Sequence, residues 1–188
     1  MLDYFREEVV TRRRRTPESL VYALANLGMV LLAIYALFMV NILLTQLTTA
    51  GLGGPLLLLL QALLTLLAAG ASVLLFLFRD RIRTEYEYTF TNGTMDFAKV
   101  FNNRKRKSLG TMNVRNVEAC GMVDSGSFRR YLSIPGVVRL NWFLNRDARL
   151  FYFYFVKDGK KSLMVLEPSE AMLELIKKFV GQGKFQTN

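Results

Sequence analysis

From Ser19 to Phe78 the chain contains no Asp, Glu, Lys or Arg. A helix needs about 20 apolar residues to cross the hydrocarbon core of a bilayer. This run holds two such lengths, separated by Gly51-Leu52-Gly53-Gly54-Pro55. Glycines and a proline at that point end one helix and allow the chain to reverse. The sequence therefore predicts helices at about 21–44 and 55–78, a transmembrane hairpin within residues 18–80. In lipid every backbone N–H and C=O must find a partner in its own segment, which leaves helices as the spanning structure.

The flanks set an orientation. Arg12, Arg13, Arg14 and Arg15 precede the first span, Arg79, Arg81 and Arg83 follow the second, and the intervening loop is uncharged. The positive-inside rule then puts both termini in the cytoplasm of a multi-pass inner (plasma) membrane protein. A cleaved leader would have an apolar core of about 7–15 residues, far shorter than the first span. A second span followed by a basic flank argues against twin-arginine export. Asn26, Asn41, Gln46, Gln61, Thr45, Thr65 and Ser72 are polar but not ionisable, so no proton relay or ion path is indicated. Asn26 is placed to bond across helices, while small residues such as Gly28, Ala33, Ala36, Ala68 and Ser72 let two backbones approach.

Ahead of the hairpin, residues 1–17 form a basic arm. Leu2, Phe5, Val9 and Val10 suit one face of a short amphipathic helix lying among headgroups. A charged tail with no further role is the other reading. Thr16-Pro17-Glu18 has the form of a helix start.

The net charge of +10 and the pI near 9.9 suit either nucleic acid or an anionic leaflet. With this hairpin present, orientation accounts for much of the charge and nucleic acid is disfavoured. Cys120 is the only cysteine, so no internal disulfide forms, and its apolar setting from Val117 to Val123 predicts a buried thiol. The absence of histidine removes the commonest general base and a favoured zinc ligand. Lys107-Ser108 is no dyad by adjacency alone, and Ser125-Gly126-Ser127 lacks the nucleophile-elbow pattern. Asp96, Glu118, Asp124 and Asp147 have no metal-ligand spacing. No catalytic residue, metal or cofactor is expected, and the chain reads as a non-enzyme.

Residues 81–188 change character. Thr84 to Thr91 alternates polar and aromatic residues as a half-buried strand does. Asn92-Gly93 is a strong hairpin signal, and Thr94 to Phe101 is the return strand, with Met95, Phe97 and Phe101 or their neighbours toward the core. Asn102 to Lys107 reads as a second, very basic turn, after which the chain runs from Ser108 to Cys120. Arg149 to Val156 is a dense aromatic strand, turned at Lys157-Asp158-Gly159-Lys160 and paired with Lys161 to Leu166. A closing amphipathic helix follows at about 168–180, with Met172, Leu173, Ile176 and Phe179 on its apolar stripe. Residues 121–148 read as an irregular strand pair or an inserted loop.

Three features from Tyr86 to Val117 resemble bacterial pleckstrin-homology-like domains of small membrane proteins. They are Tyr88-Thr89-Phe90-Thr91-Asn92-Gly93, then Arg104-Lys105-Arg106-Lys107, then Val114-Arg115-Asn116-Val117. The resemblance implies an α+β membrane protein: a two-helix transmembrane hairpin followed by a PH-like β-barrel or sandwich with a C-terminal capping helix. Such a fold serves lipid, peptide and assembly roles alike. Four cations on one turn suit the phosphate oxygens of anionic lipid, and the resemblance implies the same headgroup role; a solvated hairpin tip, charged for solubility and orientation, is the other reading.

The candidate contacts for anionic lipid or a partner are Arg104, Lys105, Arg106 and Lys107, with Arg129 and Arg130 near Tyr131, Arg139 and Trp142. Arg12 to Arg15, Arg79, Arg81 and Arg83 orient the hairpin. The expected function is a membrane-anchored interaction or scaffold module. Its expected partners are membrane lipids and a protein partner or further copies of itself. The competing readings are an oligomeric transport or channel subunit and a membrane-associated enzyme.

Overall fold

The structure, a computed structural model, describes residues 3–48 and 54–187. It divides into two compact units. One spans Arg14–Arg83, and the other joins the segment ending at Arg13 to everything from Thr84 onward.

The first unit is a pair of antiparallel helices, α1 (Thr16–Thr48) and α2 (Pro55–Phe78), extended by a 3-10 turn over Arg79–Ile82. Both are long and apolar enough to cross a membrane. The second has the expected bounds. The first begins at Thr16 because Ser19 N–H already bonds to Arg15 C=O at 2.9 Å. The expected reversal at 51–53 lies outside the described residues. Small side chains make the seam: Ala36, Thr65, Ala68 and Ser72 are the buried residues of the pair. Ser72 Oγ donates to Met29 C=O at 2.9 Å, a bond between helices that close backbone approach permits. Asn26 donates to Tyr22 C=O within its own helix at 2.7 Å and accepts from Arg79 Nη1 at 2.6 Å. Its expected bond across the pair is therefore made, to an arginine just past α2.

The β-unit opens with β1 (Phe5–Val10), which corrects both readings of the arm, an amphipathic helix and a charged tail with no further role. β1 pairs antiparallel with β2 (Thr84–Thr91), from Phe5 opposite Thr91 to Val10 opposite Tyr86. Local periodicity could not show this, because the partner lies beyond the whole helix pair. The pairing supplies β2 with a neighbour on its otherwise open edge and directs Val10 into the core.

β2 turns through Asn92 (φ 50°) and Gly93 (φ 96°) into β3 (Thr94–Phe101). These are the two left-handed positions of a type I′ turn. A side chain at position 93 would also meet Phe179 at 2.9 Å. β3 pairs with β4 (Lys105–Asn113), completing a sheet of order β1-β2-β3-β4. The basic turn is shorter than expected. Asn102 and Asn103 take its positive φ values, Arg104 follows, and Lys105, Arg106 and Lys107 already belong to β4.

A single 3-10 turn over Val114–Asn116 leads to β5 (Ala119–Met122). The irregular stretch at 121–148 resolves into α3 (Gly126–Leu132) and β6 (Val138–Trp142), neither a strand pair nor a mere loop. β7 (Phe151–Lys157) and β8 (Lys160–Leu166) turn at Asp158-Gly159, and α4 (Glu170–Phe179) leads to a short β9 (Phe185–Gln186). The second sheet has the order β6-β8-β7-β5-β9, with β6 parallel to β8 and β9 parallel to β5.

The aromatic density of β7 has a cause. Phe151, Phe153 and Phe155 face the core between the sheets, against Phe90, Phe97, Met172 and Ile176. Tyr152 and Tyr154 point the other way, into a second cluster with Phe128 and Tyr131 of α3. A strand covered on both faces cannot alternate apolar with polar residues. α4 closes the first core with Met172, Leu173 and Ile176, its N-cap Ser169 accepting from Met172 N–H at 3.2 Å.

Candidate functional site

Both sheets end in an edge strand where they open on one another, β4 in the first and β6 in the second. Between them lies a cleft of about 350 Å³. One wall is β4 itself, from Leu109 through Gly110, Thr111 and Met112 to Asn113. Leu140 and Trp142 of β6, Phe155 of β7, and Ser162 and Met164 of β8 form the floor. Those floor residues alternate along their strands, so the cleft rests on the inner face of the second sheet. Among the described residues, Lys157 is the only ionisable one in the lining. Trp142 is half-buried and packs on Phe97 with ring centroids 5.0 Å apart. It is held from behind by Tyr88, whose hydroxyl donates to the Trp142 carbonyl. Burial pushes the Tyr88 phenol well above its ordinary range, so it remains a neutral donor.

A second polar cluster faces a different way. Asn145 is buried and works as a clasp: its Nδ2 donates to Glu167 Oε1 at 2.7 Å and to Thr11 C=O at 3.0 Å, and its Oδ1 accepts from Arg13 N–H at 2.9 Å. Glu167 Oε2 also accepts from the backbone N–H groups of Leu144 (3.2 Å) and Asn145 (3.0 Å). Glu8 accepts from Ser169 N–H at 2.9 Å and pairs with Arg6 at 2.6 Å. Together these bonds fasten the second half of β1, and the residues just after it, to the β8–α4 corner. The cluster is structural: its acceptors and donors satisfy one another.

The sequence-predicted cations do not form one patch. Arg104 sits in the turn and all of Arg104 to Lys107 are exposed. Strand alternation sends Lys105 and Lys107, opposite Phe101 and Lys99, to the inner face of the first sheet. Arg106 goes to the outer face, where its Nε lies 2.8 Å from Glu87. Arg129 and Arg130 are exposed on α3, over the outer face of the second sheet. In the helix pair, Arg79, Arg81 and Arg83 lean on Phe76, Phe78 and Tyr22 at 4.9, 4.5 and 4.3 Å. The cleft itself was missed in the sequence. Its signal was the apolar–polar alternation Val138-Arg139-Leu140-Asn141-Trp142, which reads as a strand.

The family model described as Bacterial PH-like domain (DUF6106) matches residues 2–186, so both parts of the β-unit and the helix pair between them lie inside the match. The chain belongs to this bacterial PH-like domain family. Two packed sheets closed by a C-terminal helix are the architecture that the resemblance implied. No curated protein and no solved structure matches the chain. Within this PH-like domain, no cluster of acidic, cysteine or histidine side chains could hold a metal among the described residues.

Cys120 lies fully buried in the PH-like core, and burial pushes its thiol up to about 12. A raised acid pKa means the folded state holds the proton more tightly. The resulting stabilisation is full below the ordinary thiol value of 9.0 and is lost as pH rises from there towards 12. Unfolding midpoints measured from pH 8 to 11 should fall with pH, and Cys120→Ala should flatten that slope. An equal slope in both proteins would assign it elsewhere. At pH 8, maleimide should modify Cys120 at least about a hundredfold more slowly in the folded than in the unfolded chain.

Proposed function

We propose that this protein is a membrane-anchored, non-enzymatic docking module, whose PH-like domain binds protein partners at the cytoplasmic face of the membrane. The observation that carries the anchoring is connectivity. The helix pair interrupts the domain between β1 and β2, which are hydrogen-bonded neighbours in one sheet. Both ends of the pair must therefore return to the same folded body, as the ends of a two-span hairpin do. The basic flanks put that body in the cytoplasm. Arginines resting on Phe76, Phe78 and Tyr22 suit the headgroup level, where amphipathic rings and cations meet water. The cleft beside β4 supplies the docking surface.

Two measurements test the reading. The protein should stay with the membrane through an alkaline carbonate wash; release into the supernatant would remove the anchor. In a Cys120→Ala background, membrane-impermeant maleimide added to intact cells should label Gly54→Cys and spare Ser133→Cys until the cells are opened. The reverse pattern would overturn the orientation.

A further inference from the structure

The cleft wall is made by consecutive β4 residues, which a side-chain pocket would not require. A wall of alternating residues presents one face of a strand, whereas Leu109 to Asn113 in unbroken series present its edge. The hairpin geometry fixes which backbone groups are offered there. Thr91 and Thr94 flank a two-residue turn and form a hydrogen-bonded pair. Alternation then directs the amides of Met95 and Phe97 towards β4, where their partners are Met112 and Gly110. The N–H and C=O groups of Thr111 and Asn113 point away from β3, into the cleft. β4 ends its sheet, so this edge has no strand neighbour, and at Gly110 a Cβ would find no atom within 4 Å, so the space over the strand is open as well. A strand added to β4 would extend the first sheet over the floor formed by Leu140, Phe155 and Met164. Its inward side chains must be apolar there. Further back along β4 the inward neighbours are Lys107 and Lys105, and among the described residues the lining holds no carboxylate.

We infer that β4 is a strand-addition site that takes an extended segment of a partner protein, apolar at alternate positions over the floor and acidic opposite Lys107 and Lys105. This rests on the docking reading above and names the partner chemistry of the same cleft. Backbone bonds give such a site its affinity and the alternating pockets its selectivity.

The test uses the full chain in detergent micelles, where binding is read independently of membrane anchoring. The probe is the labelled peptide Glu-Thr-Glu-Thr-Val-Thr-Val-Thr-Val, with its reversed sequence for the opposite strand direction. Saturable binding is expected for one of the two, with slowed amide hydrogen exchange across residues 109–113. Thr111→Pro removes an outward donor and should weaken binding about tenfold or more. Thr111→Ala removes only the side chain's bond to Asp96 and should bind normally. Lys105→Glu with Lys107→Glu should weaken the acidic peptide and spare its lysine-for-glutamate counterpart. Should Thr111→Pro fail to fold, the exchange pattern and the charge reversals still decide. The inference is overturned by no binding, by unchanged exchange at 109–113, by equal binding of the lysine peptide, or by a chain dimer that occupies the edge instead. Each of these results would leave the anchoring and orientation measurements standing.

Discussion

Deleting residues 3–10 is expected to unfold the PH-like domain even though most of that domain lies more than seventy residues further along. β1 contributes six registered pairs to β2, buries Val10, and lends Glu8 to the start of α4. Net values near 1 kcal/mol per hydrogen bond bring the loss to the order of 5 kcal/mol, against a total stability of about 5–15 kcal/mol for such domains. The exposed edge of β2 would then be an aggregation site. Limited proteolysis of the detergent-solubilised protein checks this: the deletion should expose residues 84–187 to rapid cleavage that the intact chain resists. Equal resistance would make β1 dispensable. A complementary chain replaces residues 14–83 with six glycine and serine residues, which span about 13 Å as a random coil. Because Val10 and Tyr86 are paired, this linker should close without strain, and the product should be soluble and unfold cooperatively. A fragment beginning at Thr84 should do neither.

Asn145→Leu is expected to lower stability by about 2–4 kcal/mol, because it deletes three side-chain bonds and leaves Glu167 with fewer donors in a half-buried site. For a domain of this size that is a drop of roughly 10–20 °C in unfolding midpoint. Asn145→Asp should be worse, since a carboxylate cannot donate to Glu167 or to the Thr11 carbonyl and adds a like charge. Thermal unfolding of the three proteins at pH 7 orders them. A leucine variant within about 0.5 kcal/mol of the parent, the usual range for surface substitutions, would show that the clasp carries no stability.

What the sequence makes legible follows the range over which each signal acts. The helices are written in local composition, and α2 has its expected bounds because Pro55 and Arg79 delimit it. The Asn92-Gly93 and Asp158-Gly159 turns are equally local, since only a few residues tolerate positive φ. The closing helix is readable from its stripe. β1 is not, because Phe5, Val9 and Val10 fit a helical spacing while the strand's core-facing positions are Arg6, Glu8 and Val10, and the partner that decides lies beyond the helix pair. The same limit hid the splitting of the basic turn: its boundary with β4 depends on Asn102 and Asn103 absorbing the reversal. The cleft required two sheet edges to be known together, although Trp142 and the strand alternation around it were visible.

The splice between β1 and β2 also sets a clock. The ribosome completes β1 long before Thr84 exists, and at about 5–20 residues per second the wait is roughly 4–15 s. Throughout that interval the first strand has no sheet to join. The domain can close only once the chain beyond both helices has been made. Its folding is therefore obliged to follow synthesis of the helix pair, and any event that kept the two ends of that pair apart would leave the sheet without its first strand.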